Sequence, residues 1–143
     1  METAQNKIVK AALLGAGTVG SGVYQLVQER QEDFSHICGT QIQITKILVR
    51  DASKEREGIP SPLLTDNWNE IIEDDSISII IEVMGGIEPA KSYLLEAMKA
   101  GKQIVTANKD LIAEHGHELL DSAEKYGWDI FIPKFSYTTD NAA

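Results

Sequence analysis

One stretch near the amino end constrains this chain more than any other: Ile8 to Gly22, IVKAALLGAGTVGSG. An apolar segment runs without a break into Gly15-Ala16-Gly17-Thr18-Val19-Gly20, and Val19, Val23, Leu26 and Val27 follow at helical spacing. A strand, a Gly-x-Gly-x-x-Gly turn and a helix together predict the phosphate-holding corner of a dinucleotide-binding βαβ unit. Each glycine answers a separate demand. Gly15 permits the tight turn out of the strand, Gly17 lets backbone approach a pyrophosphate with no Cβ in the way, and Gly20 lets the helix sit close on the strand. The pyrophosphate would rest on open N–H groups of the helix starting near Thr18, where the macrodipole also favours negative charge. A glycine turn alone is weak evidence, and a purely structural turn is the competing reading; the strand before it and the helical pattern after it favour the ligand.

Further along, the same alternation recurs. The first helix is expected to end near Gln31, and Glu32 to Gly39 reads as a mixed connection. Gln41 to Val49 reads as a second strand, ending in Arg50-Asp51. Ala52 to Asp66, with Pro60 and Pro62, predicts an irregular loop. Asn67 with Glu70 suits the cap of a short helix carrying Trp68, Ile71 and Ile72. Ile77 to Val83 is nearly continuous and β-branched, as in a strand buried on both faces of a parallel sheet. Pro89 fits the first turn of a helix with a stripe of Ala90, Tyr93, Leu94, Ala97 and Met98, closed by Gly101. Gln103 to Thr106 is a short strand. A helix over about Asp110 to Tyr126, with Leu111, Ile112, Leu119, Leu120 and Ala123 inward and Gly127 as its stop, precedes a last strand over Asp129 to Ile132.

Strands alternating with helices predict a single α/β domain with a Rossmann-like, doubly wound parallel sheet. In such a sheet ligands gather outside the carboxyl ends of the strands. That rule brings Gly15 to Gly20, Arg50, Met84 to Gly86 and Thr106 to Lys109 to one edge. The tip of the second strand lies beside the adenosine ribose, where an acid suits free hydroxyls and an arginine a 2′-phosphate. Here Arg50 and Asp51 are both present, followed by Ser53, Lys54 and Arg56. The cationic cluster favours NADP(H), with NAD(H) still open.

Charge and cysteine content narrow the partners. Thirteen Lys plus Arg against 22 Asp plus Glu leave a formal charge of −9. That balance argues against a nucleic-acid surface and against electrostatic attachment to anionic membranes. Cys38 is the single cysteine, so an internal disulfide and a cysteine-based zinc site are both excluded. No metal is expected: His115 and His117 are spaced i, i+2 and face different ways on a helix. Glu82 and Glu88 could form an acid/base pair, but a strand end and a helix start explain them more simply. No apolar run reaches membrane-spanning length and no secretory leader is evident, so the expected location is cytoplasmic.

Four stretches carry a resemblance: LLGAGTVGSGV at Leu13 to Val23, VRD at Val49 to Asp51, EVMGGIEPA at Glu82 to Ala90, and AMKAGKQIVTANKDLIAEHGHEL at Ala97 to Leu119. Over about residues 7 to 131 the chain resembles the nucleotide-binding half of homoserine dehydrogenase. The resemblance implies interconversion of L-aspartate 4-semialdehyde and L-homoserine with NADPH or NADH, on the route to threonine and methionine. It implies that Gly15, Gly17, Thr18, Val19 and Gly20 line the pyrophosphate and that Arg50 meets the adenosine 2′-phosphate. Gly85 and Gly86 would run beside the nicotinamide end, Thr106 and Asn108 near its ribose, and Lys109 would point at the reacting centre. Read on its own, Lys109 is a surface lysine at a helix start, though a cation there opposes the helix dipole.

The resemblance stops near residue 131. Residues 1–132 are expected to form the NAD(P)-binding domain and 133–143 a tail outside the family pattern, with the family's catalytic and dimerisation domain absent. This reads as a truncated homologue, inactive alone. The alternative is a non-catalytic NADP(H)-binding module acting as a sensor, a partner subunit or a remnant. Self-association, or pairing with a full-length homologue, is the expected protein partnership.

Overall fold

The computed structural model describes residues 7–127 and 130–131. Six parallel strands form one sheet in the order β3-β2-β1-β4-β5-β6. They are β1 (Lys7–Leu14), β2 (Thr40–Leu48), β3 (Leu64–Thr65), β4 (Ile77–Glu82), β5 (Gln103–Thr106) and β6 (Ile130–Phe131). Between them run α1 (Thr18–Glu29), α2 (Gln31–Cys38), α3 (Asn69–Ile72), α4 (Ala90–Lys99) and α5 (Lys109–Tyr126). This is the strand order of a dinucleotide-binding doubly wound sheet, with the reversal of direction between β1 and β4. The expected fold class is therefore the observed one.

Alternation along β1 shows how the sheet makes two cores. Ala11 and Leu13 point to one face, where they meet Tyr24 and Val27 of α1 together with Ile44, Ile47 and Ile59. Ala12 and Leu14 point to the other, packing with Ile71, Ile80, Leu94, Met98, Ile104, Leu111 and Leu119. Only the carboxyl half of β1, Ala11–Leu14, is buried on both faces, and that half has no room for polar side chains; Lys7 and Lys10 fall in the half that is not buried. On that second face Trp68 also stacks on Tyr93 at 4.3 Å between ring centroids, joining α3 to α4.

Several expectations need correction. Glu32 to Cys38 is not a mixed connection but belongs to α2, with Glu32 and Asp33 in its first turn, where they suit the dipole, and Gly39 follows it at positive φ. Gln31 anchors it: its side-chain amide donates to the Val27 carbonyl at 2.9 Å and accepts from the Ile42 N–H at 3.2 Å. Within the expected loop, Ser61–Leu63 form a 3-10 turn and Leu64–Thr65 add the edge strand β3. On α1 the buried positions are Gly20, Tyr24 and Val27, while Val19 and Leu26 are more than half exposed. Leu120, expected inside, is 56% exposed. The capping pair also differs. Asn67 Oδ1 accepts from the Asn69 N–H at 3.0 Å, but Glu70 receives the Thr65 hydroxyl at 2.9 Å instead of reaching back to Asn67.

The remaining elements begin and end within a residue or two of their expected places, with Gly101 and Gly127 at positive φ beyond α4 and α5. Asp129 and Ile132, the outer residues of the expected last strand, and the segment 133–143 lie outside the described residues.

Candidate functional site

The first wall of the site is the turn from β1 into α1. Gly15 has φ +111°, and a Cβ there would lie 3.0 Å from Met84 Cα, so this turn and the one after β4 touch. A Cβ at Gly20 would collide with the Gly15 carbonyl oxygen and come 2.8 Å from its carbon. Gly20 is thus what brings the helix down onto the strand. Gly17 differs from both: the place of its Cβ is open, with nothing within 4 Å. It is the N-cap of α1, it makes no side-chain cap, and the first turn contains no acid. The helix therefore presents uncapped N–H groups to an exposed surface with no carboxylate beside them, the electrostatics an anionic phosphate needs. Ser21 is held back from that surface, its hydroxyl donating to the Ala16 carbonyl at 3.2 Å.

Lateral bonds beyond the strand ends align the other walls. The Gly15 N–H donates to the Leu48 carbonyl at 2.9 Å, the Val83 N–H to Leu14 at 3.0 Å, and the Ala107 N–H to Glu82 at 3.3 Å. Because all these strands are parallel, their carboxyl ends form one rim. The turn at Gly15–Gly20, Arg50 after β2, Met84–Gly86 after β4 and Thr106–Lys109 after β5 lie along it, as expected from the sequence.

At the β2 end, Arg50 is exposed and, among the described residues, has no hydrogen-bond or ion-pair partner. Asp51 is already engaged. Its Oδ1 receives the Ser53 hydroxyl at 2.6 Å and the Ser53 N–H at 3.0 Å, and these bonds hold its carboxyl below the usual range, with Arg56 and Lys54 adding to the effect. Arg56 is turned to the backbone, donating to the carbonyls of Asp51 and Lys54 at 3.1 and 2.9 Å. Of the cationic cluster, Arg56 is therefore spent on loop structure while Arg50 stays available.

At the β4 and β5 ends the side chains turn inward. Glu82, fully buried, accepts on Oε2 from the N–H groups of Met84 and Gly85 at 3.1 and 3.0 Å and from Asn108 Nδ2 at 3.3 Å; its Oε1 accepts from the Thr106 hydroxyl. Asn108 caps α5 by accepting the Leu111 N–H at 3.1 Å, and it also donates to the Gly86 carbonyl. Thr106 and Asn108 are buried, whereas Gly85, Gly86 and Lys109 are exposed at the rim. Gly85 and Gly86 both take positive φ, +79° and +75°. Glu82 and Glu88 do not face each other as an acid/base pair: Glu88 receives the Ser92 hydroxyl at 2.8 Å at the start of α4. His115 sits 3.6 Å from Glu118 on α5.

With this geometry in hand, residues 15–133 match the sequence profile of the family described as "Homoserine dehydrogenase, NAD binding domain". The chain belongs to the homoserine dehydrogenase family. It is 44% identical over 127 residues to the homoserine dehydrogenase of Bacillus subtilis, covering 88% of this chain and 29% of that protein. The Corynebacterium glutamicum enzyme is also 44% identical, over 124 residues, covering 87% of this chain and 28% of its own length. The crystal structure of Staphylococcus aureus homoserine dehydrogenase at pH 6.0 superposes with a TM-score of 0.81 at 47% identity, over 88% of this chain and 33% of that one. A hyperthermophilic archaeal homoserine dehydrogenase in complex with NADPH, 24% identical, shares the fold at a TM-score of 0.68 over 87% of this chain and 43% of that one. The chain thus spans less than a third of the length of the two curated relatives. The part it spans is the nucleotide-binding domain of the family, whose cofactor class is a nicotinamide dinucleotide, and the open cradle at Gly17 fits that group.

Proposed function

We propose that this chain binds NADP(H) along the rim and forms the cofactor-binding part of an enzyme interconverting L-aspartate 4-semialdehyde and L-homoserine. The observation that carries the proposal is the cradle at Gly17: an uncapped helix start with open space over its glycine, at the switch point of the sheet. Gly15, Gly17, Thr18, Val19 and Gly20 hold the pyrophosphate through backbone N–H groups. Arg50, unpartnered beside an Asp51 already engaged by Ser53, meets the 2′-phosphate, and this supports NADP(H) over NAD(H). Gly85 and Gly86 border the nicotinamide half, and Thr106 and Asn108 shape the wall near its ribose. The bound dinucleotide supplies the hydride. Lys109, exposed at the first residue of α5, presents an ammonium that stabilises or protonates the alkoxide oxygen formed from an aldehyde.

A second reading is a module that holds NADP(H) without turnover: the groups described at the rim bear on holding the dinucleotide, and Lys109 is the one among them assigned to the reaction. In either reading residues 1–132 form the nucleotide-binding unit, the family match itself ending at residue 133, and the protein works in the cytoplasm. Calorimetric titration with NADPH and NADH at fixed salt tests the cofactor assignment. NADPH binds tighter, and Arg50→Ala removes that advantage by about tenfold or more, the worth of a charged hydrogen bond to phosphate. Equal affinities, or an unchanged Arg50→Ala, would sink the assignment of Arg50. Turnover assayed with and without a full-length homologue separates the enzyme reading from the binding module. Light scattering against concentration checks self-association, a constant 15.7 kDa counting against it.

A further inference from the structure

Glu82 is the one carboxylate of the described residues driven wholly into the interior. It ends β4 two residues beyond Ile80, on the face packed against α4 and α5. An apolar side chain would fill that place at no desolvation cost, while a buried carboxylate is tolerated only when donors surround it. Here the donors are the Met84 and Gly85 N–H groups, Asn108 Nδ2 and the Thr106 hydroxyl. All of them belong to two turns, Met84–Gly86 and Thr106–Asn108, that come from different strands and stand side by side on the rim. Asn108 strengthens the tie by donating to the Gly86 carbonyl, and its own N–H donates to Thr106 Oγ1 at 3.1 Å.

We propose that Glu82 is a positioning residue: its carboxylate clamps the turns after β4 and β5 into one preformed wall for the nicotinamide half of the cofactor. The assignment rests on the reading that these turns border that half. A pair of glycines at positive φ has many accessible conformations, and Glu82 selects one before the ligand arrives. Each residue that the clamp touches directs its own bonding inward, so Glu82 acts on the cofactor only through the wall it holds. The adenosine half, at Gly17 and Arg50, is held by the start of α1 and the end of β2; Met84 backs Gly15, but no side-chain bond of Glu82 reaches Gly17 or Arg50.

The 143-residue chain is titrated with NADPH and with 2′,5′-ADP, which carries the adenosine phosphates and no nicotinamide, in wild type, Glu82→Gln and Glu82→Leu. Glutamine keeps one acceptor oxygen and replaces the other by a donor, so it serves fewer of the four donors; leucine serves none. If the wall is competent about a tenth of the time without the clamp, NADPH affinity falls about tenfold in Glu82→Leu and a few-fold in Glu82→Gln, with 2′,5′-ADP unchanged. General loss of stability does not produce that split, and 2′,5′-ADP binding itself reports a folded domain. Equal losses for both ligands, or no loss for NADPH, overturn the role of Glu82 while leaving the cofactor reading intact. Where leucine prevents folding, Glu82→Gln, matched in size, decides by the same split. Wild-type chain that binds 2′,5′-ADP and NADPH with equal affinity overturns the placement of the wall, and with it the clamp; failure to bind either overturns the cofactor reading as well.

Discussion

Gly17 and Gly20 sit three positions apart in one turn and do opposite things. A methyl group at Gly20 drives into the Gly15 backbone carbonyl, where no rotamer change relieves it. Gly20→Ala is therefore expected to cost about 1–3 kcal/mol, read as a lower denaturant midpoint at unchanged slope. A methyl at Gly17 meets open space. Gly17→Ala keeps its unfolding midpoint near wild type and loses NADPH affinity, and a calorimetric titration showing intact binding would refute the cradle. The glycines were legible in the sequence by type and spacing. Their division of labour was not, because a collision depends on how closely a carbonyl approaches across the turn. Glu82 was less legible still: the chain shows a glutamate at the end of an apolar strand, and nothing local announces a donor such as Thr106, 24 residues away.

At the level of elements, the two ends of the sheet do separate work. Opposite the rim, just before β5, Lys102 is only 3% exposed, and its ammonium donates to the carbonyls of Asp74 and Ile77 at 2.8 and 2.7 Å. Burial lowers its pKa, partly countered by Asp75 and Asp74. Lys102→Met leaves both carbonyls without that donor and is expected to cost about 1–3 kcal/mol in denaturant unfolding, with NADPH affinity unchanged. At the rim side, the start of α4 carries a pH-dependent cap. Bonds from the Ser92 hydroxyl and N–H hold Glu88 below its ordinary value of 4.5. A carboxyl lowered in the folded state adds stability that is fully present above its unfolded value and is lost as pH falls through the folded one. Ser92→Ala should accordingly lower the melting temperature slightly at neutral pH and flatten its decline below about pH 4.5, so that variant and wild type converge in acid. Strands and helices with strong periodicity were readable in advance. The short α2 and β3 were not, since each owes its conformation to a neighbour: Gln31 reaching the backbone of β2 for one, pairing with the end of β2 for the other.

For the whole molecule, the expectation is a folded domain that the dinucleotide stabilises by mass action. At a hundred times the dissociation constant, NADPH adds about 2.7 kcal/mol, which raises the melting temperature of a domain this size by roughly 8 °C. A melting temperature indifferent to NADPH would count against a preformed site. The sequence by itself determined the alternation of strand and helix, the parallel sheet and the order in which four ligand-edge segments come along the chain. Those follow from hydrophobic period and glycine spacing, which are local. Only the tertiary structure decided which apolar residues are inside, leaving Leu26 and Leu120 exposed, and which charges remain available, leaving Arg50 unpartnered while Asp51 is engaged. It alone revealed the buried Glu82 beneath two turns. These are questions of what stands opposite a side chain once distant segments meet, and no local pattern encodes the answer.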